Sequence, residues 1–229
     1  MYFMMTSASP ETDIRESGLR VGHLNVYHLF NKVPDVSTFL CNQYPFVHLF
    51  GLSETRFNCR VSDESIAIPH YTIYRRDIVK QDETGLALYV HNSIPNITTR
   101  RTDLESQCIE SLWVEICIPK TPSLLVGYVY RNPAATYEWY DEFVTMLDKV
   151  AVSKTNIHLL GDFNIDLFKP HLAWESTFSI LGLNQPTRVT CSTNTLIDHV
   201  YTDNPTLFTV YLYLTLPSMI TFPSFVHGP

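Results

Sequence analysis

The chain alternates short apolar runs, rich in β-branched and aromatic residues, with polar turn segments. These runs predict β-strands at residues 19–26, 47–53, 71–75, 85–91, 109–118, 124–131, 157–162 and 196–201. Helical spacing is rarer. It is clearest after Thr136, a residue that can cap a helix N-terminus, where four large side chains fall on one face: Trp139, Phe143, Leu147 and Val150. Weaker patterns predict helices around residues 36–43 and 174–181.

The balance of these elements predicts the fold class. Many strands with few, scattered helices do not follow the regular alternation of a doubly wound parallel sheet. Two sheets packed face to face, with helices outside, fit the pattern better. At 229 residues, of which 45% are hydrophobic, the chain can bury the core of one such domain. We therefore predict an α/β fold, a four-layered α/β sandwich in which two packed mixed β-sheets are flanked by helices.

The overall charge limits how the chain could bind nucleic acid. A formal net charge of -7 argues against binding by charge alone, because phosphate binding is normally driven by Lys and Arg side chains. A nucleic-acid contact would be local or helped by a metal ion. Two adjacent arginine pairs are the best candidates for gripping a DNA backbone, with ordinary solvated loops as the alternative: Arg75 and Arg76, and Arg100 and Arg101.

Cysteine usage and hydropathy bear on location. Five cysteines are an odd number without C-x-x-C spacing, which predicts reduced core thiols and an intracellular protein, nuclear or cytoplasmic. The apolar stretch 207–226 nearly reaches the length of a membrane span. Because Pro217 and Pro223 interrupt that stretch, we expect no membrane association there, with a transmembrane helix as the alternative.

The strongest local signal for chemistry is the segment Leu-Leu-Gly-Asp-Phe-Asn at 159–164. On an extended backbone, Asp162 and Asn164 would point the same way. Asp162 could accept a proton from water while Asn164 donates to a phosphate oxygen, which suits phosphodiester hydrolysis. An ordinary strand-to-turn junction has the same composition, so this segment alone leaves both interpretations open.

Further polar side chains stand where other apolar strands end. Glu54 follows one strand, and a magnesium site in a phosphate enzyme needs only one or two carboxylates. A solvated acid at a strand edge is the alternative. Asn25, Tyr130, Arg131 and Asp198 also stand at strand ends. Because such groups converge on one rim of a sandwich, we predict that they form a single site.

The ordered set of these segments resembles the endonuclease/exonuclease/phosphatase superfamily. The set comprises Leu-Asn-Val at 24–26, Gly-Leu-Ser-Glu-Thr at 51–55, Val-Tyr-Arg at 129–131, Gly-Asp-Phe-Asn at 161–164 and Leu-Ile-Asp at 196–198. The connecting segments at 85–90 and 110–115 are similar to the endonuclease domain of LINE-type, non-LTR retrotransposons. The resemblance covers residues 18–203, which predicts an N-terminal tail at 1–17 and an aberrant apolar segment at 204–229.

The resemblance implies a metal-dependent DNA endonuclease that nicks target DNA for an associated reverse transcriptase. Glu54 would bind Mg²⁺ or Mn²⁺ with help from Asn25. Asp162 would orient or deprotonate the attacking water, while Asn164 and Tyr130 would hold the scissile phosphate. Together with Asp198, these side chains make up the predicted site. We expect Arg131 to contact the DNA beside them.

One motif of the family is missing. There, the acid that matches Asp198 orients a histidine in a final Ser-Asp-His motif, and residues 204–229 contain no such motif. His199 is no replacement, because neighbouring residues on a strand face opposite sides of the sheet. Two alternatives to an active endonuclease follow: a retroelement fragment without catalysis, and a phosphatase or phospholipase of the same superfamily.

Overall fold

A computed structural model of the chain describes residues 3–8, 20–42, 47–94, 98–117, 122–153, 155–185, 195–204 and 208–213. Within these ranges the strands are β1 (Phe3–Ala8), β2 (Arg20–Asn25), β3 (Leu49–Ser53), β4 (Tyr71–Arg76), β5 (Leu86–His91), β6 (Thr98–Arg100), β7 (Glu110–Ile116), β8 (Leu124–Tyr130), β9 (Asn156–Asp162), β10 (Asp198–Thr202) and β11 (Phe208–Tyr213). The α-helices are α1 (Val33–Asn42), α2 (Tyr137–Ala151) and α3 (Leu172–Ile180).

The strands form two mixed sheets. One has the order β11-β1-β2-β3-β5-β4, in which β2 and β3 are the parallel pair. The other has the order β10-β9-β8-β7-β6, in which β8 and β9 are the parallel pair. The predicted sandwich of two mixed sheets is therefore confirmed. The parallel pairs matter for the site, because parallel strands end at the same edge of their sheet.

Three apolar clusters separate the layers. One lies between the sheets and includes Leu88 and Val126. A second joins the β6–β10 sheet to α2 and includes Phe143 and Phe163, and a third includes Val36 of α1. The sheets approach closely at Gly51, where a Cβ atom would lie 1.8 Å from the ring of Tyr128. These contacts give the predicted order of helix, sheet, sheet and helix.

Three strands were not predicted from the sequence. β6 is only three residues long, and β1 and β11 lie in the segments placed outside the domain. β1 pairs antiparallel with both β2 and β11, so β1 and β11 extend the first sheet at one edge. Among the described helices, none is long and apolar enough to cross a membrane. Most of the apolar stretch 207–226 lies outside the described residues.

The cysteines differ from the expectation. Cys41, Cys59, Cys108 and Cys117 are free thiols, as predicted, but all four are exposed and do not belong to the core. Cys191 lies outside the described residues. The apolar interior is built from aliphatic and aromatic side chains instead.

Candidate active site

One side-chain amide joins the two sheets at the predicted site. Asn25, the last residue of β2, donates through Nδ2 to Oε1 of Glu54 at 2.7 Å and to Oδ2 of Asp162 at 2.9 Å. Glu54 follows β3 and Asp162 ends β9, so three strand ends from both sheets meet here. The convergence expected from the pattern of strand ends is therefore present. The catalytic roles of these residues stay predictions.

The backbone turns sharply at two of the site residues. Glu54 has φ 56° and Asn164 has φ 51°, in the left-handed region that residues other than glycine rarely adopt. Such conformations cluster at functional sites, where the surrounding contacts hold them in place. Around Glu54 these contacts include a hydrogen bond from the His28 N–H to its carbonyl, at 2.9 Å.

The conformation of Asn164 corrects one expectation. An extended backbone at 162–164 was predicted, but β9 ends at Asp162 and the chain turns at Asn164. As a result, the Asn164 backbone N–H donates to Oδ1 of Asp162 at 3.0 Å, and its Nδ2 donates to the carbonyl oxygen of Arg131 at 2.9 Å. Asn164 thus ties the end of β8 to the end of β9.

Two carboxylates face each other in the second sheet. Asp162 and Asp198 are directly paired residues on antiparallel β9 and β10. Burial, together with the nearby Asp198, raises the pKa of Asp162 above its usual range, while the hydrogen bond from Asn25 opposes this. The two oxygens of Asp162 accept from Asn25 and Asn164, which fixes the plane of the carboxyl group.

Tyr130 lies next to these acids. It ends β8, opposite Asp162 on one side and Glu110 on the other. Burial raises the pKa of the Tyr130 hydroxyl, and the carboxylates of Glu54 and Asp162 raise it further. The hydroxyl therefore stays protonated and can donate a hydrogen bond. Glu110 is used structurally, since it accepts the backbone N–H groups of Thr84 and Gly85.

His23 was not among the site residues predicted from the sequence. This residue is buried in β2, and its Nδ1 lies 3.4 Å from Oδ1 of Asp198. It stands two residues before Asn25, and alternate residues of a strand share a face. That spacing was the signal that could have found it.

His199 occupies the other face, as expected. Its Nε2 lies 2.8 Å from the carbonyl oxygen of Ile165, and its ring stacks on Phe163 at 5.0 Å between centroids. It is buried in the core beneath α2 and α3, away from Asp198. His199 therefore lies on the face of the sheet opposite to Asp198, as the strand periodicity predicts; that it does not replace the family's histidine stays a prediction.

The four paired arginines all have partners within the chain. Arg75 and Arg76 bond backbone carbonyl groups, with Arg75 also 3.2 Å from Asp63. Arg100 forms a two-point ion pair with Glu105. Arg101 does the same with Asp103, and it also reaches Glu115. Because these contacts occupy much of each guanidinium group, a role for the four in DNA binding stays a prediction.

Arg131 lines a cavity next to the strand ends of the site. Its guanidinium group packs over the ring of Trp139, 5.6 Å from the centroid. The cavity measures about 510 Å³ and is bordered by Arg131 and Ile165, the neighbours in sequence of Tyr130 and Asn164. Its other walls include Tyr137, Tyr140 and Trp174 from α2 and α3. Its volume lies within the range typical of small-molecule binding sites.

The donor set suits a hard cation that keeps water ligands. The described residues include no cluster of three His, Cys, Asp or Glu side chains arranged to hold one ion. Glu54 nevertheless offers carboxylate oxygens, and the Asp198 Oδ1 is buried without a hydrogen bond. Mg²⁺ needs only one or two carboxylates, with the other positions filled by water and phosphate oxygens. Glu54 and Asn25 therefore fit Mg²⁺ or Mn²⁺ bound together with substrate.

Comparison with known proteins yields similar structures but no similar sequences. The chain matches no family profile and no curated protein. It is similar to the AP endonuclease LMAP of Leishmania major, with a TM-score of 0.61 and 13% identity over 82% of this chain and 79% of that one. The endonuclease domain of TRAS1, a telomere-specific non-LTR retrotransposon, gives a TM-score of 0.59 and 13% identity, covering 80% and 83%.

A third similar structure has a different activity in its description. The 3′ phosphatase NExo from Neisseria, bound to a product DNA hairpin, gives a TM-score of 0.58 and 15% identity, covering 81% of this chain and 86% of that one. Other similar structures include proteins described as endonuclease/exonuclease/phosphatase family members. The structural neighbours are therefore nucleases and phosphatases. The chain has the fold of the endonuclease/exonuclease/phosphatase superfamily, as its sequence motifs predict.

Proposed function

We propose that this chain is a metal-dependent phosphodiester hydrolase, the DNA endonuclease domain of a retrotransposon replicase, acting in the nucleus or cytoplasm. The observation that carries the proposal is the amide of Asn25, which bonds both Glu54 and Asp162 across the two sheets. The connecting sequence and the likeness to the TRAS1 domain support DNA as the substrate and a retrotransposon as the context.

Glu54 and Asn25 would hold the metal ion. When bound, Mg²⁺ or Mn²⁺ supplies positive charge to the phosphate oxygens as negative charge develops on them. Arg56 approaches Oε2 of Glu54 only to 3.9 Å, so this carboxylate keeps lone pairs for a ligand. The Oδ1 of Asn25 accepts the backbone N–H of Tyr27 at 3.2 Å, which fixes the orientation of the amide.

Asp162 would accept the proton of the attacking water. Two donors already orient its carboxylate, and each oxygen retains a second lone pair. Tyr130, whose hydroxyl bonds Glu54, would turn its hydrogen to a phosphate oxygen when substrate binds, because its environment keeps it protonated. Asn164 has a second N–H on Nδ2 for the same phosphate, besides the one that bonds Arg131. Positioned donors of this kind stabilise the charge of the transition state.

Relaxation of supercoiled plasmid in the presence of Mg²⁺ tests the proposal. Wild-type protein should nick the plasmid, and Asp162→Ala should abolish nicking. Asp148→Ala is the matched control, because this acid is exposed on α2 and should leave the rate unchanged. If the wild type and Asp162→Ala are equally inert under conditions in which an intact relative cuts, the endonuclease proposal is wrong.

Two alternatives are each favoured by one observation. The likeness to the NExo 3′ phosphatase favours a phosphatase, which would release phosphate from a 3′-phosphorylated strand without nicking plasmid. The missing Ser-Asp-His motif favours a fragment without catalysis. Reading the genomic DNA beyond codon 203 in all three frames tests this, since a nearby Ser-Asp-His in another frame would indicate a shifted reading frame.

A further inference from the structure

A buried histidine contacts the acid that lacks its expected partner. Only 4% of the His23 surface is exposed, and its Nδ1 lies 3.4 Å from Oδ1 of Asp198. His23 belongs to β2 of the first sheet and Asp198 to β10 of the second. The contact therefore spans the two sheets, as do the bonds of Asn25, two residues further along the same strand.

Packing alone does not account for this histidine. Its Nε2 is buried and makes no hydrogen bond to any residue in the described part of the chain. Burying a polar atom without a partner carries a desolvation cost that an apolar side chain of similar volume avoids. Where a sequence departs from such a rule beside a candidate active site, the departure points to function.

We propose that His23 is a positioning residue for Asp198. It would hold that carboxylate opposite Asp162, in place of the partner expected from the absent Ser-Asp-His motif. This inference rests on the proposed function. The neutral ring can carry its hydrogen on Nδ1, and the charged ring also has a hydrogen there, so the contact does not require a particular charge on His23.

The surroundings of Asp198 explain why its carboxylate requires a contact that fixes its orientation. Asp198 is paired directly with Asp162, and two adjacent carboxylates repel each other. Asp198 keeps 26% of its side chain exposed and could turn toward solvent. The contact with the His23 ring from the opposite sheet opposes that rotation. Small displacements of groups around a reacting phosphate cost about 10²-fold in rate, which sets the size of the expected effect.

Two substitutions of His23 separate positioning from packing. His23→Leu fills a similar volume and removes the polar contact with Asp198, whereas His23→Asn keeps a nitrogen close to the position of Nδ1. We expect His23→Leu to lower kcat for plasmid nicking by about 10- to 100-fold with KM nearly unchanged, and His23→Asn to recover most of the loss. Because Leu removes an unpaired buried nitrogen, His23→Leu should unfold at no lower a temperature than wild type.

The Asp198→Asn background provides the decisive comparison. If His23 acts through Asp198, then His23→Leu causes no further loss of kcat in that background. If His23 were purely structural, His23→Leu would instead lower the unfolding temperature. The effect of His23→Leu on kcat would then persist in the Asp198→Asn background. Full nicking by His23→Leu in the wild-type background would also overturn the inference while leaving the endonuclease proposal intact.

Thermal unfolding of the wild type, His23→Leu, Asp198→Asn and the double variant keeps the two proposals distinguishable. If the wild type does not nick DNA, the proposed function has failed, and the coupling between positions 23 and 198 can still be measured from unfolding temperatures. A non-additive shift in the double variant supports the contact. Additive shifts show that the two side chains do not interact, and the inference then fails.

Discussion

Asp162 and Asp198 are directly paired on adjacent antiparallel strands, so two carboxyl groups share one end of the second sheet. Asp162 is almost fully buried, and the burial and the neighbouring Asp198 raise its pKa. Placing two acids together in this way destabilises the folded protein at neutral pH, because the buried carboxylate of Asp162 faces a second carboxylate. In the proposed function, a cation and a phosphate would offset this repulsion.

Replacing Asp162 by Asn should therefore stabilise the fold while removing activity. The substituted side chain keeps an oxygen for the Asn25 amide and carries no charge. It loses the bond that Asp162 accepts from the Asn164 N–H, but removing the buried charge outweighs that loss. We expect the free energy of unfolding in EDTA at about pH 7.5 to rise by about 1–2 kcal/mol, and nicking to fall by at least about 10²-fold. Thermal denaturation and plasmid relaxation measure the two effects. Asp148→Asn, a change at an exposed acid on α2, should alter neither, and a lower melting temperature for Asp162→Asn would contradict the prediction.

Asn25 should control the metal response of the site. In Asn25→Asp, a third carboxylate replaces the amide that bonds Glu54 and Asp162. We expect the variant to unfold at a lower temperature than wild type in EDTA, because three acids then repel one another. Addition of about 10 mM Mg²⁺, a concentration suited to weak sites, should raise its melting temperature more than that of wild type.

The exposed Asn42, at the end of α1, provides the control for that experiment. Asn42→Asp adds the same charge away from the site and should respond to Mg²⁺ as the wild type does. Equal Mg²⁺ responses in all three proteins would show that Asn25 does not adjoin a metal site.

The sequence predicted that the site residues converge, because the signal that marks the end of each strand is local. An apolar run that stops at an acid or amide marks a strand end, and this holds for Asn25, Glu54 and Asp162. Parallel pairing of β2 with β3, and of β8 with β9, then brings the strand ends to one edge of each sheet. Periodicity of two residues also separated Asp198 from His199 correctly.

Features that depend on partners distant in sequence were missed. The turn at Asn164 follows from its bond to the carbonyl of Arg131, 33 residues away, which no local pattern reveals. From the sequence, His23 is an ordinary polar residue of a strand, because its contact with Asp198 depends on how the second sheet packs on the first. Arg76 reads as a free cation, but it bonds carbonyl groups near Ile109.

The cavity beside Arg131 should bind part of the DNA strand. Tyr137, at the start of α2, borders it with 87% of its surface exposed, so its ring is available for stacking on a base. Stacking of one base on an aromatic ring contributes about 1–3 kcal/mol. We expect Tyr137→Ala to raise KM for a short DNA duplex by about fivefold or more with kcat retained, and Tyr137→Phe to behave as wild type.

Val152→Ala, at the other end of α2, is the control for the Tyr137 variants, since Val152 is exposed but distant from the cavity. It should leave KM unchanged. If Tyr137→Ala and Val152→Ala give the same KM, the DNA strand does not use the cavity.

His199 should make the fold sensitive to acid. Burial lowers its pKa from 6.5 to about 4, since the core accepts only the neutral ring. A group whose pKa is lower in the folded state stabilises the protein above its unfolded pKa, and this contribution is lost as pH falls from 6.5 toward 4. Between about pH 7 and 4.5 the expected loss is about 2 kcal/mol. His199→Phe keeps a ring against Phe163 and cannot titrate, so its urea-unfolding free energy should fall less over this range than that of wild type. Parallel pH profiles for the two proteins would show that His199 does not titrate with folding.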